Sequence, residues 1–97
     1  MPKILIYKNI WIFIIYSTDV YEKRKHIHVG KRGMKNLCKI WLEPKVGIAN
    51  PGNLTVKQQN ELLEVTKQYR KELIAQWINL INGNTIEIIK LNKYEKY

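Results

Sequence analysis

The feature that most constrains the fold is an apolar stripe in the C-terminal half of the chain. Apolar side chains recur there at the spacing of an α-helix, at Leu62, Val65, Tyr69, Leu73, Trp77 and Leu80. Such a stripe covers one face of a helix and has to pack against another layer. Thr55 is a plausible N-cap with Gln58 at the capping-box position, and Gly83 is a typical stop signal. The pattern predicts one helix over about residues 55–82.

The remainder of the chain is rich in β-forming segments. Lys8-Asn9 separates the first two, and Asn tolerates the left-handed backbone that a two-residue hairpin requires. The predicted strands cover residues 4–7, 10–16, 26–29, 37–42, 46–49 and 85–91. We predict an α+β fold, an antiparallel sheet of four or five strands with one long helix packed on one face.

The length fits one domain over residues 1–97, with a frayed tail at residues 92–97. The only cysteine, Cys38, cannot form an internal disulfide, which favours a reducing compartment. The first apolar segment is too short to span a bilayer and is not followed by a typical leader cleavage site. We therefore expect a cytoplasmic protein without a membrane partner.

The positive charge is concentrated in the first half of the chain. The 17 Lys and Arg residues outnumber 8 Asp and Glu, which gives a net charge of +9. Residues 1–48 hold ten of the bases and three of the acids, and residues 23–42 hold no acid. Such an asymmetry is typical of domains that bind nucleic acid, nucleotides or another anionic partner.

The predicted hairpin of residues 26–29 and 37–42 gathers polar side chains on one face. Strict alternation places His26 and His28 beside Lys39 and Trp41, on the sheet face away from the helix. Flanking loops add basic side chains, at Lys23, Arg24, Lys25, Lys31 and Arg32. Cationic side chains, imidazole donors and an indole suit a phosphate-bearing ligand that carries a ring.

Three other interpretations fit the same residues. His26 and His28 could serve as base and acid in metal-independent RNA cleavage, with Lys39 stabilising the charged intermediate. Two histidines at this spacing can also reach one Zn²⁺, with Asp19 or Glu43 as a third ligand. In the third interpretation the face docks a protein and the histidines have no chemical role. Cys38 is not a candidate nucleophile, because it lies on the predicted core face.

Several ordered segments resemble the domain of unknown function 4160 family of small bacterial and phage proteins. They are residues 16–19, 26–29, 38–44 and 73–77, and the resemblance runs from Pro2 to about Leu91. Family members share an Asp ahead of an H-x-H motif, an aliphatic-Trp-Leu strand and a helix that ends in Leu-x-x-x-Trp. The resemblance implies that Asp19, His26 and His28 are signature positions.

Two departures from the family pattern bear on function. Members often carry a histidine directly after the Asp, where this chain has Val20, and prolines before H-x-H, where it has the charged segment 21–25. The missing histidine argues against a metal, and the added bases favour an anion. The family is often found in arrangements that resemble toxin–antitoxin or phage–host conflict modules, which implies either a toxin acting on RNA or a non-enzymatic binder.

We therefore expect a non-enzymatic basic domain that binds a nucleotide or nucleic acid, without a metal or other cofactor. An RNA-cleaving toxin is the first alternative and a protein-interaction module the second. A small protein partner and a homo-oligomer are both compatible with the sequence. The predicted ligand-binding residues are Asp19, Arg24, Lys25, His26, His28, Lys31, Arg32, Lys39 and Trp41.

Overall fold

The computed structural model describes residues 2–91, and their strands form one six-stranded sheet. The strands are β1 (Lys3–Tyr7), β2 (Trp11–Ile14), β3 (His26–Lys31), β4 (Cys38–Trp41), β5 (Gly47–Asn50) and β6 (Ile89–Leu91). Their order across the sheet is β5-β4-β3-β2-β1-β6. The predicted α+β class is confirmed. The predicted fraying of residues 92–97 lies outside the described residues.

The sheet is larger than predicted, and it is mixed rather than antiparallel. The strands from β1 to β5 pair antiparallel with their neighbours, whereas β6 pairs parallel with β1. The helical segment lies between β5 and β6 and returns the chain to the far edge of the sheet. There β6 enters from the same end as β1, a long-range placement that strand composition does not reveal.

The predicted turn at Lys8-Asn9 is present, but the connection between β1 and β2 has three residues rather than two, because Tyr7 pairs with Trp11. Lys8 and Asn9 both adopt a φ of 57°, the left-handed conformation that matches the twist of the flanking strands. The turn brings Lys8 towards the helical layer, where its Nζ lies 2.9 Å from a Glu61 carboxylate oxygen. The same carboxylate accepts a 2.7 Å hydrogen bond from the hydroxyl of Tyr7.

The predicted single helix is two helices, α1 (Val56–Gln68) and α2 (Arg70–Ile81). The capping box is confirmed, because Thr55 and Gln58 each accept a hydrogen bond from the other's backbone N–H through their side chains. The break falls at Tyr69, which is only partly buried. Thr66 lies in the preceding turn, and its hydroxyl donates a 2.7 Å hydrogen bond to the Leu62 carbonyl. This back-bonding competes with the helical backbone and bends helices.

The core forms between the helices and the predicted inward face of the sheet. The register aligns Leu5, Phe13, Val29 and Cys38 in one row across four strands, and all four are fully buried. Helix residues complete the cluster, among them Leu62, Leu73 and Trp77. Within residues 2–91, no helix has the length and apolar character needed to cross a membrane.

Candidate metal site beside the paired histidines

Asp19 is held in place by the turn that follows β2. It begins a short 3-10 helix, Asp19–Tyr21, and its backbone N–H donates a 2.9 Å hydrogen bond to the Tyr16 carbonyl. Its carboxylate Oδ2 in turn accepts a 2.8 Å hydrogen bond from the Tyr16 N–H. The side chain is nearly buried. These local bonds orient the carboxylate towards the start of β3.

His26 and His28 lie on one side of β3, as the alternation predicts, but they differ in exposure. The predicted pairing with β4 is confirmed, with His26 opposite Trp41 and His28 opposite Lys39. His26 has 0% relative exposure, so the prediction that it points outward to solvent is wrong. The 3-10 helix packs on α2, and the His26 ring lies 5.3 Å from the Trp77 ring of that helix. The end of the sheet is thereby covered where β3 begins.

The hydrogen bond of one ring nitrogen sets the tautomer of His26. Its Nδ1 lies 3.0 Å from the Arg24 carbonyl oxygen and 3.3 Å from Oε2 of Glu22. Both neighbours are acceptors, so Nδ1 carries the proton when the ring is neutral. The lone pair is then on Nε2, which faces Asp19. A backbone carbonyl that orients the remote nitrogen is the usual support of a metal-ligating histidine.

The three side chains converge on one point. Asp19 Oδ1 lies 3.3 Å from Nε2 of His26, and Oδ2 lies 3.1 Å from Nε2 of His28. One possible ligand atom from each residue lies within 4.8 Å of the others. Ligand atoms about 2.0–2.2 Å from a tetrahedral Zn²⁺ are separated by about 3.3–3.6 Å. The two nitrogen–oxygen distances are close to that separation, whereas the 4.8 Å limit of the whole set is wider, so the side chains would have to draw together around an ion.

The two Nε2 atoms are buried and have no hydrogen-bond partner among residues 2–91. Each of these atoms faces an Asp19 oxygen at ion-pair distance, 3.3 Å for His26 and 3.1 Å for His28. A buried polar atom without a partner costs free energy, and native structures contain few of them. Two such atoms aimed at one carboxylate indicate a shared cation more directly than a pair of ordinary hydrogen bonds.

His28 forms the more accessible side of the cluster. Its side chain is 18% exposed, and the Tyr16 ring contacts it at a centroid distance of 4.7 Å. Burial lowers the pKa of His28 below its ordinary value, against the opposing attraction of Asp19. A lowered pKa keeps the imidazole neutral near pH 7, and the neutral ring is the form that binds metals.

The basic residues nearest to the cluster contact acids and an aromatic ring. Lys25 Nζ lies 3.3 Å from a Glu43 carboxylate oxygen, and Lys39 Nζ lies 3.7 Å from one of Glu22. The Arg24 guanidinium carbon lies 4.0 Å from the centre of the Trp41 ring, and Lys39 Nζ lies 4.6 Å from it. Since these cations contact the indole, it is a poorer stacking platform for a base than the sequence predicted.

The other two predicted bases do not join the cluster. Lys31 ends β3, five residues beyond His26, a distance of about 16 Å by the strand rise. Its Nζ lies 5.5 Å from the centre of the Trp11 ring, and Arg32 follows in the turn. These two residues and Lys35 line a separate cavity of about 560 Å³. The predicted single basic face is therefore two regions.

Sequence reasoning offered Asp19 and Glu43 as possible third ligands, and the structure brings only Asp19 to the histidines. The Glu43 carboxylate instead accepts hydrogen bonds from the backbone and side chain of Lys25. The prediction did not include Glu22 and Lys35. Glu22 could have been found from its position four residues before His26. Lys35 belongs to the acid-free segment, but its position beside the cavities depends on how the β3–β4 connection folds, which no local pattern indicates.

The chain belongs to the family described as Domain of unknown function (DUF4160), whose model matches residues 11–78. The matched region contains Asp19, both histidines and most of the two helices. It is shorter than the resemblance noted from the sequence, which ran from Pro2 to about Leu91. No curated protein and no solved structure matches the chain.

Proposed function

We propose that the chain binds one divalent transition-metal ion through Asp19, His26 and His28, and that this ion holds an oxygen of a phosphate-bearing ligand. The observation that carries the proposal is the convergence of two unpartnered, buried Nε2 atoms on one carboxylate, at 3.1 and 3.3 Å. The proposal keeps the anionic ligand expected from the charge. It differs in that the histidines bind the metal ion and the metal ion binds the phosphate, whereas the sequence predicted that the histidines contact the phosphate directly.

The donor set points to a first-row transition metal. Imidazole nitrogens suit Zn²⁺ and its neighbours, whereas Mg²⁺ and Ca²⁺ prefer oxygen ligands. Two histidines and one carboxylate occupy three positions of a tetrahedral ion and leave a fourth for an exogenous ligand. The partial exposure of His28 provides a route to that position.

Zinc binding to matched variants tests the proposal. After chelator treatment, calorimetric titration with Zn²⁺ should give one ion per chain. Asp19→Asn keeps an oxygen that can accept the Tyr16 N–H bond but removes the charge. We expect it to lower the affinity by more than tenfold, roughly the loss that even outer-shell changes cause at metal sites.

Glu43→Gln is the matched control, because it alters a nearby carboxylate that the proposal does not use. His28→Ala should lose affinity as Asp19→Asn does, whereas Glu43→Gln should bind Zn²⁺ like the unmodified chain. Equal affinity in all four proteins would rule out this metal site.

An RNA-cleaving toxin that uses His26, His28 and Lys39 remains the second candidate. The full burial of His26 argues against a metal-free acid–base pair, because both groups must reach the scissile phosphate. Incubation of metal-free and Zn²⁺-loaded protein with cellular RNA, followed by mass spectrometry, separates the candidates. Products formed without metal and lost in His26→Ala would favour the toxin. Intact RNA in both samples would favour the non-enzymatic binder.

A further inference from the structure

A polar cavity of about 450 Å³ adjoins the exposed side of the histidine cluster. Its walls are Tyr16, His28, Lys35, Asn36, Leu37, Asn50 and Gly52. His28 is the only one of these residues that belongs to the candidate metal site. If one atom of a ligand occupied the free position of the metal, the rest of that ligand would therefore lie beside this cavity.

Lys35 lines both this cavity and the basic cavity beyond it. The second cavity adds Lys31 and Arg32 to the walls. A side chain that borders both spaces makes them neighbours, and we call the path from His28 past Lys35 to Lys31 and Arg32 the trough. No ion pair among residues 2–91 involves these three bases, in contrast to Lys25 and Lys39. Their charge is available to a ligand.

The floor of the trough is held by bonds between two loops. The Asn36 N–H donates a 2.8 Å hydrogen bond to Oδ1 of Asn53, and the Asn53 N–H donates a 3.0 Å bond to the Asn36 carbonyl. Gly52 allows this approach, because a Cβ there would overlap the backbone oxygens of Asn36 and Leu37. The trough is therefore a preformed surface, which lowers the entropic cost of binding.

The N-terminus of α1 borders the basic cavity, but the inference does not depend on it. Thr55 and Gln58 line the cavity and already satisfy each other's backbone N–H groups through the capping box. What indicates an anion here is the set of unpaired bases along a path that begins at the metal position.

We infer that the trough binds the backbone of single-stranded nucleic acid, with one phosphate on the metal and further phosphates along Lys35, Lys31 and Arg32. The inference rests on the proposed metal site for its first contact. His28 and Lys31 are three residues apart on β3, about 10 Å by the strand rise, and the alternation of the strand directs them to opposite faces, so a ligand that contacts both passes round the β3–β4 connection at Lys35. One phosphate cannot contact both ends, so the ligand needs several negative groups in a line. A charged groove that follows one backbone is typical of single-strand binding.

Fluorescence anisotropy with a labelled single-stranded RNA or DNA oligonucleotide tests the inference on the Zn²⁺-loaded chain. The triple variant Lys31→Gln, Arg32→Gln, Lys35→Gln should bind more weakly while keeping its zinc stoichiometry. For single strands, the logarithm of the binding constant changes with that of salt by about 0.7 for each neutralised phosphate. The triple variant should therefore show a salt slope shallower by up to about 2.

A charge-matched control removes three exposed bases elsewhere, in Lys45→Gln, Lys67→Gln, Lys71→Gln. This variant should keep most of the affinity and the steeper slope. Equal loss in both triple variants would mean that only net charge matters and would overturn the trough. Duplex DNA that binds the unmodified chain as tightly as the single strand does would also overturn it.

Metal binding and oligonucleotide binding are measured separately, so the two proposals fail in different ways. Zinc binding that Asp19→Asn weakens, together with no oligonucleotide binding, would overturn the inference and leave the metal site. Oligonucleotide binding of the same strength with and without Zn²⁺ would overturn the phosphate contact at the metal, and the inference with it. Binding that needs both Zn²⁺ and the three bases would support both.

Discussion

The Trp77 ring of α2 lies 5.3 Å from the His26 ring of β3, at an interplanar angle of 62°. A residue of the predicted apolar stripe thus contacts a residue of the predicted functional face. His26 also contacts the Trp41 ring at 5.7 Å, so two indoles enclose the imidazole. This contact belongs both to the core and to the candidate metal site, so a change in how Trp77 packs should alter the position of the His26 ring.

Truncation of Trp77 should therefore affect both stability and zinc binding. Trp77 is 1% exposed, and Trp77→Ala should lower the free energy of unfolding by about 3–5 kcal/mol, as large aromatic truncations in a core do. Urea denaturation followed by circular dichroism measures the loss. Trp77→Phe should retain the fold and bind Zn²⁺ more weakly. Trp41→Ala is the control for stability. Since Trp41 is only partly buried, its truncation should lower the free energy of unfolding by less. An unchanged urea midpoint in Trp77→Ala would show that the helix packs differently.

The Glu61 carboxylate should make stability depend on acid pH. The hydrogen bonds from Lys8 and Tyr7 lower the pKa of Glu61 in the folded chain. A carboxyl whose folded pKa lies below its unfolded value contributes stability above the unfolded pKa, about 4.3, and loses it as the pH falls through the folded pKa. Unfolding midpoints at pH 7 and pH 3 measure the difference.

Glu61→Gln should reduce that difference, because the amide does not titrate. Glu64→Gln is the control on the same helix, where Glu64 is an exposed partner of Lys67 at 3.7 Å. Exposed pairs of this kind contribute little to stability, so the control should show the same difference between its unfolding midpoints at pH 7 and pH 3 as the unmodified chain. Identical acid profiles for the two variants would contradict the role of Glu61.

Cys38 should be unreactive in the folded chain. Burial raises the pKa of its thiol to about 11, and its side chain has no exposed surface. Thiol reagents attack the thiolate, so at pH 8 a disulfide reagent should react only after denaturant is added. Because Cys38 is the only cysteine, the absorbance change reports on this residue alone. Rapid labelling of the native chain would show that β4 opens or is placed wrongly.

Two glycines with positive φ should respond differently to an added methyl group. Gly52 has φ 57°, and its Cβ would lie 2.6 Å from the Leu37 carbonyl oxygen, whereas Gly83 has φ 71° and no heavy atom within 4 Å. Gly83→Ala should cost about 1–2 kcal/mol, the backbone penalty alone. Gly52→Ala should cost more, because backbone atoms would have to move, and it should also weaken oligonucleotide binding. Thermal unfolding compares the two, and equal costs would refute the close approach at Gly52.

Local patterns in the sequence were enough for much of the fold. Alternation along residues 26–29 and 38–41 determined which side chains share a face, and the observed register of β3 with β4 agrees with it. The capping box at Thr55 and Gln58 involves residues three positions apart, so their identities alone specified the helix start. The break at Tyr69 was not predicted, because the apolar stripe continues through it.

The functional cluster was only partly readable from the sequence. The H-x-H spacing placed two imidazoles on one side of a strand, but nothing local said that α2 and the turn at Asp19 would close over His26. Lys31 and Arg32 were predicted to join the histidines because they follow them closely in the sequence. These relationships depend on where loops and helices settle on the sheet, which packing between distant segments decides. The sequence by itself therefore determined the pairing of β3 with β4 and the ligand types, whereas tertiary packing decided the burial of the ligand residues, their convergence and the separation of the two basic regions.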